Sequence, residues 1–340
     1  MRKFVRRQRE NTKISVFGHN IATKCAASAV AIMPHLGYNN SMPLSGLLWR
    51  EKAAGIKAER AIGMDFLLIL LMLFLGITGG YLFLIAPSIR RKKKSIPPDF
   101  FRPYAHRGLH DEKCGVMENS LPAFRRAAEK GYGIELDVHL TMDGHLIVHH
   151  DHSLLRLCGR DRQISRMTLA QIQSYRLGNT DEKIPTLDEV LSLVDGRVPL
   201  ILELKSTRFG DTALSETTFR RMQAYRGQWC VESFDPVLVR WYKRHAPGII
   251  RGQLAYDPGK LKDERKKKSL IHFLSAHLLC NFLSRPDFVA YGHETDKNLS
   301  FRVMRSLFRP CLAAWTVRSL EDFKSLQSQY DWQIFEAFEP

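Results

Sequence analysis

Paired cysteines are missing from this chain. Its 340 residues include six cysteines, at 25, 114, 158, 230, 280 and 311, with no Cys-x-x-Cys among them. Five lie beyond residue 95, an odd number without framework spacing. That excludes a disulfide scaffold and predicts free thiols in a reducing compartment. No glycine-rich phosphate loop follows the first strand-like run, which argues against a doubly wound open sheet. Acidic residues are outnumbered, 35 against 51 Lys and Arg, leaving a formal net charge of +16. The excess sits in the wrong place for nucleic acid. Residues 1–63 carry +8 and 90–94 carry +5, whereas the long remainder 95–340 carries only +4. No nucleic-acid partner is expected.

Charge is absent altogether from Phe66 to Ala86, 21 residues reading FLLILLMLFLGITGGYLFLIA. At 1.5 Å per residue such a helix crosses about 30 Å of hydrocarbon. No small-x-small cleavage site is clear, so the segment reads as a retained single-pass transmembrane helix over 64–89 rather than a signal peptide. The basic run Arg90-Arg-Lys-Lys-Lys94 follows it in the linker 90–98, while Lys52, Lys57 and Arg60 are diluted upstream. The positive-inside rule therefore places the C-terminal region in the cytoplasm, with the cations held against anionic membrane lipids. Residues 1–63 are basic and lack sustained periodicity. They are expected to be disordered, or to lie upstream of a native start at Met64.

From Pro97 onward, strand-like runs alternate with helical ones. Strands are expected at Tyr104–His106, Gly133–Val138, Val198–Leu204, Trp229–Ser233, Ile249–Leu254, Asp287–Tyr291, Leu312–Val317 and Gln333–Phe338. Helices are expected at Ser120–Lys130, Thr186–Val194, Pro236–His245, Leu270–Leu283, Ser300–Phe308 and Ser319–Gln329. Eight strands interleaved with helices predict an α/β fold, a (β/α)8 TIM barrel over 99–340. One further run, Leu146–His150, follows an Asp143-Gly144 turn signal and reads as a hairpin arm. With a two-residue loop, His150 would stand opposite Asp137.

Between His106 and Lys205 the chemistry is concentrated. Glu135 and Asp137, at i and i+2 on one strand, point the same way. With Glu203 from another strand they could hold a hard divalent cation, Mg²⁺ or Ca²⁺. Three acidic side chains inside apolar strands are costly to bury without one. His106 and His150 border this group, as do the fixed cations Arg107 and Lys205, a combination suited to hydrolysis of a phosphate ester.

These residues fall in nine motifs running in order: His106-Arg-Gly, Glu118-Asn-Ser, Glu135-Leu-Asp-Val, Thr141-Met-Asp-Gly, His150-Asp, Ile184-Pro-Thr-Leu-Asp-Glu, Glu203-Leu-Lys, Ser233-Phe-Asp and Trp315-Thr-Val. Over about 100–340 the chain resembles the glycerophosphodiester phosphodiesterases, a branch of the phospholipase-C-like phosphodiesterase barrels. A span ahead of the domain also looks like one bacterial, membrane-anchored group. The closing Phe338-Glu339-Pro340 departs from the Thr-Asp-x-Pro ending common elsewhere.

The resemblance implies a hydrolase of lipid metabolism that cleaves glycerophosphodiesters to glycerol phosphate and an alcohol. It implies metal ligands at Glu135, Asp137 and Glu203, with Glu232 as a fourth ligand or a partner to them. It implies an acid/base pair in His106 and His150, with a glycerol 2-hydroxyl attacking to give a cyclic phosphate that water opens. Arg107 and Lys205 would neutralise the phosphoryl oxygens. Asn119 would orient the metal or phosphate, and Phe234 and Trp315 would line the alcohol pocket. His139, His145, His149 and His152 are expected to be structural. Two rival readings keep the fold: a phospholipase taking lysophospholipid or phospholipid at the same site, and a catalytically inactive membrane scaffold. The basic run Arg265–Lys268 and the helix after it read as a barrel helix in preference to an interfacial one.

Overall fold

In a computed structural model of the chain, residues 44–88, 93–257 and 270–340 are described. The cations at 90–92 and Arg265–Lys268, and most of the N-terminal segment, lie outside them. Two compact units emerge, Met1–Met72 and Leu73–Pro340. Among the described residues of the first, all belong to one helix, α1 (Leu44–Ile85), which begins well before the apolar stretch. Residues 44–63 are thus helical rather than disordered. The linker expected over 90–98 is, from Lys93 on, two 3-10 turns, with buried Ile96 between them and buried Phe100 ending the second.

The second unit is a closed TIM barrel. Eight parallel strands run β1 (Tyr104–His106), β2 (Gly133–Leu140), β4 (Leu200–Leu204), β5 (Trp229–Ser233), β6 (Ile250–Ala255), β7 (Phe288–Gly292), β8 (Cys311–Val317) and β9 (Trp332–Phe335), with β1 paired to both β2 and β9. β3 (Leu146–Val148) is the antiparallel hairpin arm on β2. Each expected strand forms, with ends shifted by up to three residues. Helices Leu121–Glu129, Leu187–Val194, Ala213–Met222, Pro236–His245, Leu299–Phe308 and Leu320–Leu326 form the outer layer. The helix expected over Leu270–Leu283 divides into Leu270–Ala276 and Asn281–Ser284. Its buried Ala276, Leu278, Asn281 and Ser284 face the barrel wall, as a barrel helix requires.

Strand periodicity decides what lies inside. On β2, Ile134, Leu136 and Val138 join the outer core beneath the helices, which leaves Glu135 and Asp137 on the inner face. β4 divides likewise: Leu200, Leu202 and Leu204 are outer, Ile201 and Glu203 inner. The inner core at the base of the barrel contains Ile96, Phe100, Tyr104, Ile201, Phe288, Trp332 and Ile334. Gly252 leaves room there for the Phe288 ring, since a Cβ would fall 2.2 Å from it. Above this apolar plug, the inner face turns polar.

Helix starts follow local chemistry. The Ser120 hydroxyl accepts from Ala123 N–H, with Pro122 in the first turn. Thr186 and Glu189 form a reciprocal capping box ahead of Leu187–Val194. All five cysteines among the described residues are free thiols.

Candidate active site

Register brings the acidic residues level. Across neighbouring parallel strands His106 pairs with Glu135, Asp137 with Glu203, and Glu203 with Glu232. His106, Glu203 and Glu232 sit at or next to the C-terminal ends of their strands, the end where barrels of this kind carry their chemistry, and Glu135 and Asp137 lie level with them on the longer β2. One carboxylate oxygen from each of Glu135, Asp137 and Glu203 lies within 4.8 Å of the others, and all three side chains are buried. Burial, then the charges of Asp137, Glu203 and Glu232, pushes Glu135 well above the usual carboxylate range. Burial also raises Glu203 and Glu232. For Asp137, burial is outweighed by Lys205, His150 and Arg107, and its pKa is held low.

The fit to a hard cation rests on that donor set. Glu135 Oε1 is buried without a hydrogen-bond partner, and so is Glu232 Oε2. All the donors are oxygens, as Mg²⁺ and Ca²⁺ prefer. Lys205 Nζ is 2.7 Å from Glu203 Oε1 and 2.9 Å from Asp137 Oδ1. Arg107 places its Nη1 3.1 Å from Glu118 and its Nε 3.5 Å from Asp137, while its backbone N–H donates to Glu135 Oε2 at 3.0 Å.

Backbone strain marks the first loop. Arg107 and Asn119 both adopt positive φ, 57° and 53°, a conformation that non-glycine residues hold only when their surroundings require it. Gly108 follows at φ 80°, where a Cβ would meet the Ala123 backbone at 2.9 Å. The Asn119 amide donates to Asp137 Oδ2 at 2.8 Å and is fully buried. It therefore orients a carboxylate and has no surface to offer a substrate.

Both histidines reach the site with a carboxylate behind them. His106 Nδ1 lies 2.6 Å from Glu336 Oε2, and its Nε2 is 3.9 Å from Glu135. Burial lowers His106 to about 4, against the opposing pull of Glu336. The ring is thus neutral at pH 7, with Nδ1–H donating to Glu336. For Glu336, burial is outweighed by that hydrogen bond, which holds it at about 2. His150 Nδ1 is 2.8 Å from Asp151 Oδ1. The His150 hydrogen bond, with help from Arg156, lowers Asp151 well below the carboxylate range. Arg156 also donates to both oxygens of Glu118, at 3.0 and 2.6 Å, and so links Asp151 to Glu118 and Arg107.

The hairpin corrects one expectation. Val138 pairs with Val148 and Leu140 with Leu146, which sets His149 rather than His150 opposite Asp137. The loop is three residues long because the Thr141 hydroxyl accepts from His145 N–H and Gly144 takes φ 85°. His150 reaches the site because the ladder ends with the His149 N–H bond to the Asp137 carbonyl, after which the chain bends away. His149 and His139 are buried and bond backbone carbonyls of Ser153 and His150.

Two clefts meet at His150. One, about 450 Å³, is lined by Glu203, Lys205, Phe209, Phe234 and Tyr256. Phe234, Tyr256 and Trp315 pack edge to face with centroids 5.6 to 5.8 Å apart. The other cleft, about 930 Å³, is polar and is lined by Arg107, His110, Glu118, Arg126, Arg156 and Glu336.

Against known proteins, residues 106–247 match the profile of the glycerophosphoryl diester phosphodiesterase family. A glycerophosphodiester phosphodiesterase of Caldanaerobacter subterraneus is 36% identical over 160 residues, 44% of this chain and 65% of the relative. Human glycerophosphodiester phosphodiesterase 1 is 37% identical over 116 residues, 31% of this chain and 34% of the relative. The chain thus spans less than two-thirds of the length of these curated relatives. A family structure from Thermotoga maritima has TM-score 0.51 and 26% identity, covering 68% of this chain and 92% of that one. An Oleispira antarctica phosphodiesterase, in complex with its product sn-glycerol-3-phosphate, superposes with TM-score 0.55 at 20% identity, covering 69% and 92%.

Proposed function

We propose that this barrel hydrolyses glycerophosphodiesters to glycerol phosphate and an alcohol, from a domain anchored in the membrane by the apolar part of α1. The observation that carries the reading is three buried carboxylates converging within 4.8 Å between two histidines, each backed by a carboxylate. The family match and the product held by the Oleispira phosphodiesterase support the substrate class. The run of cations at 90–94 supports a cytoplasmic domain.

Glu135, Asp137 and Glu203 would hold Mg²⁺ or Ca²⁺, whose charge would polarise the phosphoryl oxygens. Arg107 and Lys205 share that work on the non-bridging oxygens. His106 is the base: neutral, with Nδ1–H fixed on Glu336, it presents a bare Nε2 to the glycerol 2-hydroxyl from the polar cleft. His150, on the rim beside the aromatic cleft, gives its proton to the departing alkoxide. Phe234 and Trp315 border that leaving group. Asn119, Glu118 and Arg156 hold the charged side chains in place.

The direct test is to incubate the full chain with glycerophosphocholine and each cation, and to assay glycerol phosphate. Cation-dependent release is expected, and no release with either metal rejects the activity. Glu336→Gln should lower kcat about ten- to a hundredfold with KM nearly unchanged, because it loosens the tautomer of His106. Glu336→Asp should recover part of the loss. An unaltered kcat in Glu336→Gln removes Glu336 from the mechanism.

A further inference from the structure

The end of α1 is fastened to the barrel wall at three heights. Tyr81 donates its hydroxyl to Ser300 Oγ at 2.8 Å, at the start of helix Leu299–Phe308, the catalytic end. The Asn281 amide donates to the Ile85 carbonyl at 2.9 Å. Ser88 N–H donates to Pro286 O at 2.8 Å, just before β7 begins at the opposite end. The helix therefore descends the wall away from the catalytic end. Leu73, Phe74, Leu75 and Ile77 precede Tyr81 and lie beyond it on the catalytic side, one to two turns further, or about 6 to 12 Å. They are 55%, 64%, 58% and 73% exposed.

The catalytic rim carries bare apolar residues of its own. Phe209 lies on the loop after β4, and Leu270 and Phe273 on the first turn of the helix that follows β6; they are 62%, 72% and 54% exposed. Ser275 of that helix and Phe209 both line the aromatic cleft, which runs inward past Phe234 and Tyr256 to His150, Lys205 and Glu203. An apolar channel thus leads from the rim to the reacting centre on the leaving-group side, while the opposite cleft is polar.

We infer that the catalytic rim docks on the bilayer that receives Leu73–Ile77, and that the substrate is a membrane lipid. Its unsubstituted glycerol occupies the polar cleft, and its leaving alcohol, bearing a single acyl chain, occupies the aromatic cleft. This rests on the phosphodiesterase reading above. The glycerol 2-hydroxyl oxygen bonds phosphorus and its proton passes to His106. The bond from phosphorus to the acyl-bearing alcohol breaks, and that oxygen takes a proton from His150. Water then opens the cyclic phosphate, so an acyl glycerol and glycerol phosphate leave.

The test uses the full chain in nanodiscs containing oleoyl lysophosphatidylglycerol, with glycerophosphocholine in solution as the second substrate. Wild type should release monoolein and glycerol phosphate. L270D/F273D should lose at least tenfold on the lysolipid while glycerophosphocholine turnover stays within twofold. Products of lysophosphatidic acid and free glycerol, or equal lysolipid turnover by variant and parent, overturn the proposal. Turnover of neither substrate by wild type rejects the enzymatic reading beneath it. Should the double variant lose both activities, Phe273→Trp decides: lipids brominated in the acyl chain should quench the indole fluorescence that this substitution adds, and an unquenched signal overturns docking.

Discussion

Glu135→Gln is expected to abolish cation-dependent turnover, by about 10³-fold, while leaving the metal-free barrel at least as stable as the parent. Lewis-acid polarisation is worth several kcal/mol and each 1.36 kcal/mol is tenfold in rate. Gln keeps the packing of Glu135 but removes one charge from a crowded buried group, where burial and three acidic neighbours oppose ionisation. The same crowding fixes a pH dependence. Carboxyls raised in the folded state hold protons that the unfolded chain releases near pH 4.5. Their contribution to metal-free stability is therefore full at low pH and lost as pH climbs through the raised values. A cation must displace those protons, so it should bind more tightly at pH 8 than at pH 5, by up to about tenfold per pH unit for each proton displaced. Thermal scans with and without Ca²⁺ or Mg²⁺ read this directly. An equal shift in Tm at both pH values, or a Glu135→Gln protein that still gains stability from the cation, contradicts the metal site.

The barrel was legible in the chain because parallel strands bury both faces, and apolar runs of four to eight residues recur between helical patterns. Helix Ala213–Met222 escaped notice for a physical reason: its start, Thr212, makes no side-chain cap bond, and its Ser-Glu-Thr-Thr stretch weakens the apolar stripe. The short helices Leu155–Cys158 and Leu169–Ile172 were equally hidden. They surround a separate small core of Leu154, Ile164, Ile172 and Ile184 that no long period announces. The expected last strand ran three residues too far, to Phe338. In fact β9 stops at Phe335, and Glu336 N–H donates to the Val317 carbonyl.

The site followed the same division. Residues in period-two strands occupy the inner face because alternation alone decides which way they point. The hairpin register differs by one residue from the one a two-residue Asp143-Gly144 loop predicts, since the loop is set by the Thr141 hydroxyl as well. Glu336 and Arg156 carry no local mark in the sequence. Glu336 is 230 residues from His106 in sequence, and only barrel closure of β9 onto β1 makes them neighbours. Arg156 sits in an irregular stretch whose basic side chains read as solvated surface.

His106→Ala and His150→Ala should each lower kcat by about 10² to 10⁴, yet differ in two other readouts. His106 is buried, and its loss removes packing and a hydrogen bond to Glu336, whose side chain is 22% exposed and still faces Arg318; losing a hydrogen bond to a charged group costs about 1.5 to 3 kcal/mol. The His150 side chain is 31% exposed and Asp151 keeps Arg156 as a partner, so His150→Ala should unfold at nearly the parental denaturant concentration. The second readout separates base from acid. With p-nitrophenyl glycerophosphate the leaving phenolate needs no proton, and His150→Ala should then fall short of wild type by less than about tenfold. His106→Ala should keep its full deficit, since the 2-hydroxyl must still lose a proton. Rescue of His106→Ala instead would exchange the two roles and place the leaving group in the polar cleft. Rescue of neither would mean that proton transfer to the alkoxide does not limit the reaction, and would remove the reason for assigning His150 as the acid.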